Sequence, residues 1–294
     1  MPSENPSTSA PPPTTRRALV LGGGGVTGIG WQVGLLEGLA ERGVDLGSAQ
    51  DVIGTSAGSV SGALLTSFGA AGLSERLLAT PSSALVSRVP FGSLVGFPAA
   101  LLHARGDTGR LGRHLVAWST RRARRGRTTD ATARSAEIAD RLVDCRFDAR
   151  LTVVAVSQTG ERRVFTAADG VELVDAVTAS CAAPGIYPPV RIAGELHVDG
   201  GASSSTNADL ARDADRIVVL APFPGGAGPL APVSRLLADT DHCVVAPDTI
   251  ARKIMGRHPL DPAHRAAAVR AGREQAERVV ADVATHWDGA VTRP

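Results

Sequence analysis

The sequence predicts an α/β domain with three α/β/α layers, built on a mostly parallel central sheet. Three observations carry this expectation. Near-continuous apolar runs at 17–22, 151–156 and 216–221 read as strands buried on both faces, the habit of parallel sheets. Segments of helical periodicity stand between such runs. Strands alternating with helices in this way argue for one covered sheet rather than separate helical and strand domains.

The elements follow in order. The first strand, 17–22, ends in the run Gly22-Gly23-Gly24-Gly25-Val26-Thr27-Gly28-Ile29-Gly30. A helix is expected over 31–40, where Val33, Leu35, Leu36 and Leu39 recur at helical spacing and Gly43 follows as a cap. The second strand is 51–55, and a helix begins at or just after Ser56; Ala57, Gly58, Ser59, Ser61, Gly62 and Ala63 permit close packing on the sheet. From 81 to 105 the periodicity dissolves into an apolar segment rich in Pro, Gly and Ser. Helices are expected at 111–118 and 136–143, and the arginine run 121–127 reads as a solvated helix end. A hairpin runs through Thr159-Gly160 to 163–166, a helix covers 171–179, and a single strand over 192–198 enters Asp199. Asp261-Pro262 is a cap followed by proline at the first helical position, opening a helix that reaches about Trp287.

Composition narrows the function. At 294 residues and a formal net charge of +2, the chain offers no electrostatic case for nucleic acid. Cys145, Cys181 and Cys243 are odd in number and widely spaced, so neither a disulfide framework nor a zinc site is indicated, and a reducing, cytoplasmic setting is expected. Residues 1–15 are rich in Pro, Ser and Thr without the layout of a signal peptide and are expected to be a disordered tail. The domain is expected over 16–290, with 81–127 as a cap or insert. The uncharged stretch 89–102 falls short of the roughly 18 apolar residues of a membrane span and is interrupted by Pro90 and Pro98.

The chemistry sits at three glycine-rich junctions. Gly54-Thr55-Ser56-Ala57-Gly58 is a G-x-S-x-G placed between strand and helix, the setting in which a tight turn exposes a serine hydroxyl. Gly22–Gly25 also follows a strand and precedes a helix, so its N–H groups can cradle an anion, such as the oxygen of a tetrahedral intermediate. A competing reading takes Gly23-x-Gly25-x-x-Gly28 as a dinucleotide fingerprint; Asp45 has the required spacing, but 43–47 is no strand. Asp199-Gly200-Gly201 closes a strand with an acid, although Asp-Gly is also an ordinary turn dipeptide.

These three elements in this order resemble the patatin-like phospholipases, with their glycine-rich oxyanion loop, G-x-S-x-G and D-G-G/A. The stretch Ala179-Ser180-Cys181-Ala182-Ala183-Pro184-Gly185-Ile186-Tyr187-Pro188 is similar to the family block A-S-x-x-x-P-x-x-[FY]-P. The resemblance spans roughly 17–221 and implies a patatin-like fold. It implies Ser56 as nucleophile, Asp199 as its partner base, and Gly23, Gly24, Gly25 and Ala57 as oxyanion donors, with Gly54, Gly58, Gly200 and Gly201 in support. It also implies a lipid or acyl-ester substrate and no metal or organic cofactor. One departure stands out: Thr27 precedes Gly28 where many members carry Arg or Lys, which removes a positive charge from the loop.

Alternatives remain at this stage. Asp199 followed by His242 fits the order of a Ser, acid, His triad, and His197 shares a strand face with Asp199. A carboxylate is a weak base toward serine, so a dyad requires Asp199 in a partly dehydrated site that raises its pKa. An acyltransferase using the same dyad, or a non-catalytic lipid- or nucleotide-binding protein, would keep the same motifs. The apolar segment 81–104, with Phe91 and Phe97, would cap an acyl cleft, touch the inner face of a membrane peripherally, or cover the core.

Overall fold

The computed structural model describes residues 15–80, 99–225, 230–256 and 258–289. In chain order its elements are β1 (Arg17–Leu21), α1 (Gly25–Ala40), β2 (Asp51–Thr55), α2 (Ala57–Phe68) and α3 (Leu73–Ala79). Then come α4 (Thr108–Arg124), α5 (Ala131–Arg141), β3 (Leu151–Ser157), β4 (Arg162–Phe165), α6 (Leu173–Ser180), β5 (Val190–Ile192) and β6 (Glu195–Asp199). The last are β7 (Arg216–Leu220), α7 (Val233–Leu236), β8 (His242–Val245), α8 (Thr249–Met255) and α9 (Arg265–Asp288). Residues 99–104 are also helical. The expected tail, apart from residue 15, and positions 81–98 of the expected cap lie outside the described residues, as do Phe91 and Phe97.

The sheet runs β5-β6-β3-β2-β1-β7-β8, with β4 also on β3. The pairs β1–β2, β1–β7, β2–β3 and β7–β8 are parallel, while β4, β5 and β6 add an antiparallel flank. Alternate strand residues face opposite layers. Leu19, Leu21, Val52, Val153, Val218 and Leu220 point into the larger core with α1, α2, α6 and α9. Ala18, Val20, Ile53, Val154, Ile217 and Val219 face a smaller layer with α7, and Val156 and Val198 meet α4 and helical residues 99–104. The three-layer α/β/α arrangement read from the sequence is therefore present.

One detail of register brings distant residues together. β2 pairs with 151–154 of β3, β6 with 155–157, and β4 with 153–156. Because β4 overlaps both partners, it must take the opposite edge, so β2 and β6 share one edge end to end. β2 runs parallel to β3 and β6 antiparallel, so their C-terminal ends point at each other. Thr55 lies opposite Val154 and Asp199 opposite Ala155, the next residue.

Several boundaries differ from expectation. α1 begins at Gly25, six residues before the expected start. Glycine is a poor helix former, but here it lets backbones touch: a Cβ at Gly34 would collide with the Val269 carbonyl of α9. Nearly every residue of α1 is buried, which marks a central helix rather than a surface one. The strand expected over 192–198 is a hairpin, turning at Ala193 (φ 48°) and Gly194 (φ 87°), a two-residue turn with both φ positive. α4 extends through Arg124, so Arg121, Arg122 and Arg124 occupy its last turn, where cations complement the helix dipole. α5 starts at Ala131, capped by the Asp130 carboxylate, which accepts the Ala133 N–H at 2.9 Å.

Candidate active site

Ser56 occupies the turn between β2 and α2 with φ 52° and ψ −117°, a conformation that costs a non-glycine residue about 1–3 kcal/mol. Neighbouring groups hold it there. Its N–H donates to Ser180 Oγ at 2.9 Å, and Ser180 donates to the Val154 carbonyl at 2.6 Å. Its carbonyl accepts from Ser59 Oγ at 2.6 Å and Cys181 Sγ at 3.2 Å. The flanking glycines are required by contact: a Cβ at Gly58 would collide with the Leu21 carbonyl, and one at Gly54 would lie 2.6 Å from Ser59 Cα.

Asp199 ends β6 and is buried, with 7% of its surface exposed. Its Oδ1 accepts the Gly201 N–H at 2.8 Å, and its own N–H donates to the Ala182 carbonyl at 3.0 Å. Gly200 passes so close to β3 that a Cβ would strike the Val154 carbonyl. Burial pushes the Asp199 pKa up to about 6, opposed by a hydrogen bond from the Ser56 hydroxyl, the Gly201 N–H and the charge of Arg134. Ser56 and Asp199 line the same cavity. Behind them, Asn207 Nδ2 donates to Thr55 Oγ1 at 3.0 Å and to the Ser204 carbonyl at 3.1 Å, tying the D-G-G turn to the end of β2.

The glycine turn after β1 is anchored rather than free. Gly22 N–H donates to the Leu220 carbonyl at 2.9 Å, and buried Gln32 donates to the Gly22 carbonyl at 2.8 Å. Gly23 N–H donates to the Ser205 carbonyl at 2.8 Å. The Gly23 N–H, expected from the sequence to face an oxyanion, is therefore engaged in holding the loop to Ser205. The N–H groups of Gly24 and Gly25, at the start of α1, have no hydrogen-bond partner among the described residues, and neither has that of Ala57 at the start of α2. Two helix N-termini thus bring unpaired donors and positive dipole ends to the Ser56 turn.

Ser56, Ala57, Asp199 and Gly25 line one cavity of ≈ 210 Å³. Val26, Ile29, Val60 and Ile138 give it apolar walls, and Leu260 lies against it from the loop before α9. Arg134 and Arg141 of α5 supply its cations. Cys181 also lines the cavity; burial pushes its thiol up to about 11, so it serves as a hydrogen-bond donor and not as a nucleophile. Among the described residues no group of three or more His, Cys, Asp or Glu side chains could hold a metal ion.

The family model for patatin-like phospholipases matches residues 19–212, more than half of the chain. The chain belongs to the patatin-like phospholipase family. This is a family of lipid hydrolases, and the matched span contains the glycine turn, Ser56 and Asp199. Among solved structures, VipD from Legionella pneumophila is similar at 15% identity and TM-score 0.42, over 92% of this chain and 67% of that one. The type III effector protein ExoU is similar at 17% identity and TM-score 0.39, over 92% of this chain and 54% of that one. The chain thus spans about two thirds of the first and about half of the second. No curated protein matches it.

Within this patatin-like domain the other candidates lie elsewhere. His242 stands in β8, at the far edge of the sheet from β6, with Nδ1 2.9 Å from the Thr240 carbonyl, so a triad through it is not assembled. His197 shares a face with Asp199 but packs edge-on against Phe165, ring centroids 5.4 Å apart, and does not line the cavity. Its burial lowers its pKa, which keeps it neutral. Asp45 caps a short turn by accepting the Gly47 N–H at 2.8 Å. No helix among the described residues is long and apolar enough to cross a membrane. Sequence reasoning missed Gln32, Asn207, Arg134 and Arg141. Ser180, Cys181 and Tyr187 fall inside the 179–188 block, which was a usable signal for them.

Proposed function

We propose that the chain hydrolyses carboxylic esters of lipids through an acyl-enzyme on Ser56, with Asp199 as general base. The observation that carries this reading is the meeting of a strained serine and a buried carboxylate at one cavity, under two helix N-termini with unpaired N–H groups. Ser56 Oγ attacks the ester carbonyl carbon while Asp199 takes its proton. The oxygen of the tetrahedral intermediate is stabilised by the N–H groups of Gly24, Gly25 and Ala57, a kind of contact typically worth about 10²–10³ in rate per donor. The bond to the leaving alcohol breaks, and Asp199 returns the proton to that alcohol's oxygen. Water then attacks the acyl-serine, giving the carboxylic acid and regenerating both side chains. No step uses a cofactor.

The raised carboxylate favours this role, because a base works best with a pKa near the operating pH. It also supplies the test. Asp199 must be ionised to accept the proton, so kcat/KM on a short-chain ester should fall tenfold per unit as pH drops below about 6. A limb near the ordinary carboxylate value of about 4 would contradict a buried base.

A further inference from the structure

Behind the cavity lies an unbalanced set of charges that the hydrolytic steps above do not use. Arg134 and Arg141 line the cavity about two helical turns apart on α5. Both are bound to one carboxylate: Arg134 Nη1 to Glu137 at 2.6 Å and Arg141 Nη2 to Glu137 at 2.5 Å. All three side chains are at most 7% exposed. Arg265 is buried close by, its pKa lowered by burial and by the charge of Arg141. Its Nη2 donates to the Thr80 carbonyl at 2.9 Å. Three buried guanidiniums, of which Arg134 and Arg141 line the cavity, therefore stand in one region with two carboxylates, Glu137 and Asp199. When Asp199 takes the serine proton, its negative charge passes to the oxygen of the tetrahedral intermediate, so the excess of one cation persists through the step.

Donors remain as well as charge. Arg134 Nε and Arg265 Nη1 are buried without a hydrogen-bond partner among the described residues. Arg134 stacks over the Tyr187 ring at 3.9 Å, which fixes its plane without using those donors. A buried cation lacking a full set of partners is costly, and a planar guanidinium fork matches phosphate or carboxylate. The glycine turn contributes no cation, since buried Thr27 stands there.

We propose that Arg134 and Arg141 form a subsite for an anionic group carried by the ester substrate, either a phosphate on its alcohol or a carboxylate on its acyl chain. The proposal rests on the Ser56 reading above and deepens it. The anion sits against Arg134 and Arg141 of α5, while Val26, Ile29 and Val60 give the same cavity its apolar surface for the rest of the substrate. Arg141 is the better residue to vary, because Arg134 also acts on the charge of Asp199.

The test compares kcat/KM for three esters of matched length: one neutral, one with a phosphate on the alcohol, one with a carboxylate at the acyl end. The wild-type enzyme should prefer one anionic ester, and the preferred arm identifies the source of the anion. In Arg141→Gln the ratio of anionic to neutral kcat/KM should drop by about 10- to 100-fold, the size of a charge-assisted hydrogen bond. Arg141→Lys should retain part of the preference, and it serves as the variant to score if Arg141→Gln does not fold. A wild type indifferent to both anions, or an Arg141 variant that loses all three activities equally, would overturn the subsite. Labelling Ser56 with a fluorophosphonate separates the two levels: labelled enzyme without preference refutes the subsite alone, while unlabelled enzyme refutes the hydrolase reading beneath it.

Discussion

Asp199→Asn is expected to lose esterase activity by about 10⁴-fold in kcat while gaining stability above pH 6. The two effects have one cause. The carboxylate is raised from 3.8 to about 6 in the fold. A group whose folded pKa is raised favours the fold most when protonated, below its unfolded value, and that advantage disappears as pH rises through about 6. Above that pH, the ionised side chain costs the fold about 3 kcal/mol relative to an unfolded chain. Asparagine stays neutral and can still accept the Gly201 N–H. Thermal melts at pH 8 should therefore show the variant several degrees more stable, and the difference should vanish near pH 4. Ser56→Gly should behave alike for a different reason: it removes the nucleophile and relieves the positive φ. An inactive variant that is also destabilised at pH 8 would indicate damage to the fold and count against the dyad.

The second large effect is structural. Gly34→Ala is expected to cost more than about 4 kcal/mol, enough to unfold a marginally stable domain. A methyl at Gly34 would occupy the position of the Val269 carbonyl, and Gly272 of α9 presents the same problem against the Trp31 carbonyl. Both clashes are with backbone, so relief requires α1 and α9 to move apart. α1 carries Gly25 and Val26 at its N-terminus, so the cavity would lose its floor with that movement. Soluble expression together with a denaturant melt measures this; a variant within about 1 kcal/mol of wild type would refute the close packing.

Much of this architecture was legible in the chain. Strands such as 151–156 and 216–221 need no context to be recognised, because apart from Thr152 and Arg216 every position is apolar. The start of α1 was not legible, because glycines at 25, 28 and 30 oppose helix locally and are explained only by contacts remote in sequence: the Pro259 carbonyl at Gly25, Pro222 at Gly28 and the Arg265 carbonyl of α9 at Gly30. The hairpin at Ala193-Gly194 was hidden because alanine rarely adopts positive φ.

The candidate site divides along the same line. Ser56 and Asp199 were identifiable because each sits in a short local motif. What motifs cannot convey is which amides remain unpaired: Gly23 looked equivalent to Gly24 until Ser205, from a remote loop, was found holding it. Arg134 and Arg141 had no motif at all. They read as ordinary helix-surface charges, and only packing of α5 on the cavity turns them inward.

Ser56 is proposed to be a nucleophile made reactive by its place beside Asp199. Incubation with a fluorophosphonate, followed by peptide mass mapping, tests this most directly. A single adduct on Ser56 is expected, forming far more slowly in Asp199→Asn. An unmodified Ser56 in folded wild-type protein, or labelling at equal rates in both proteins, would contradict it.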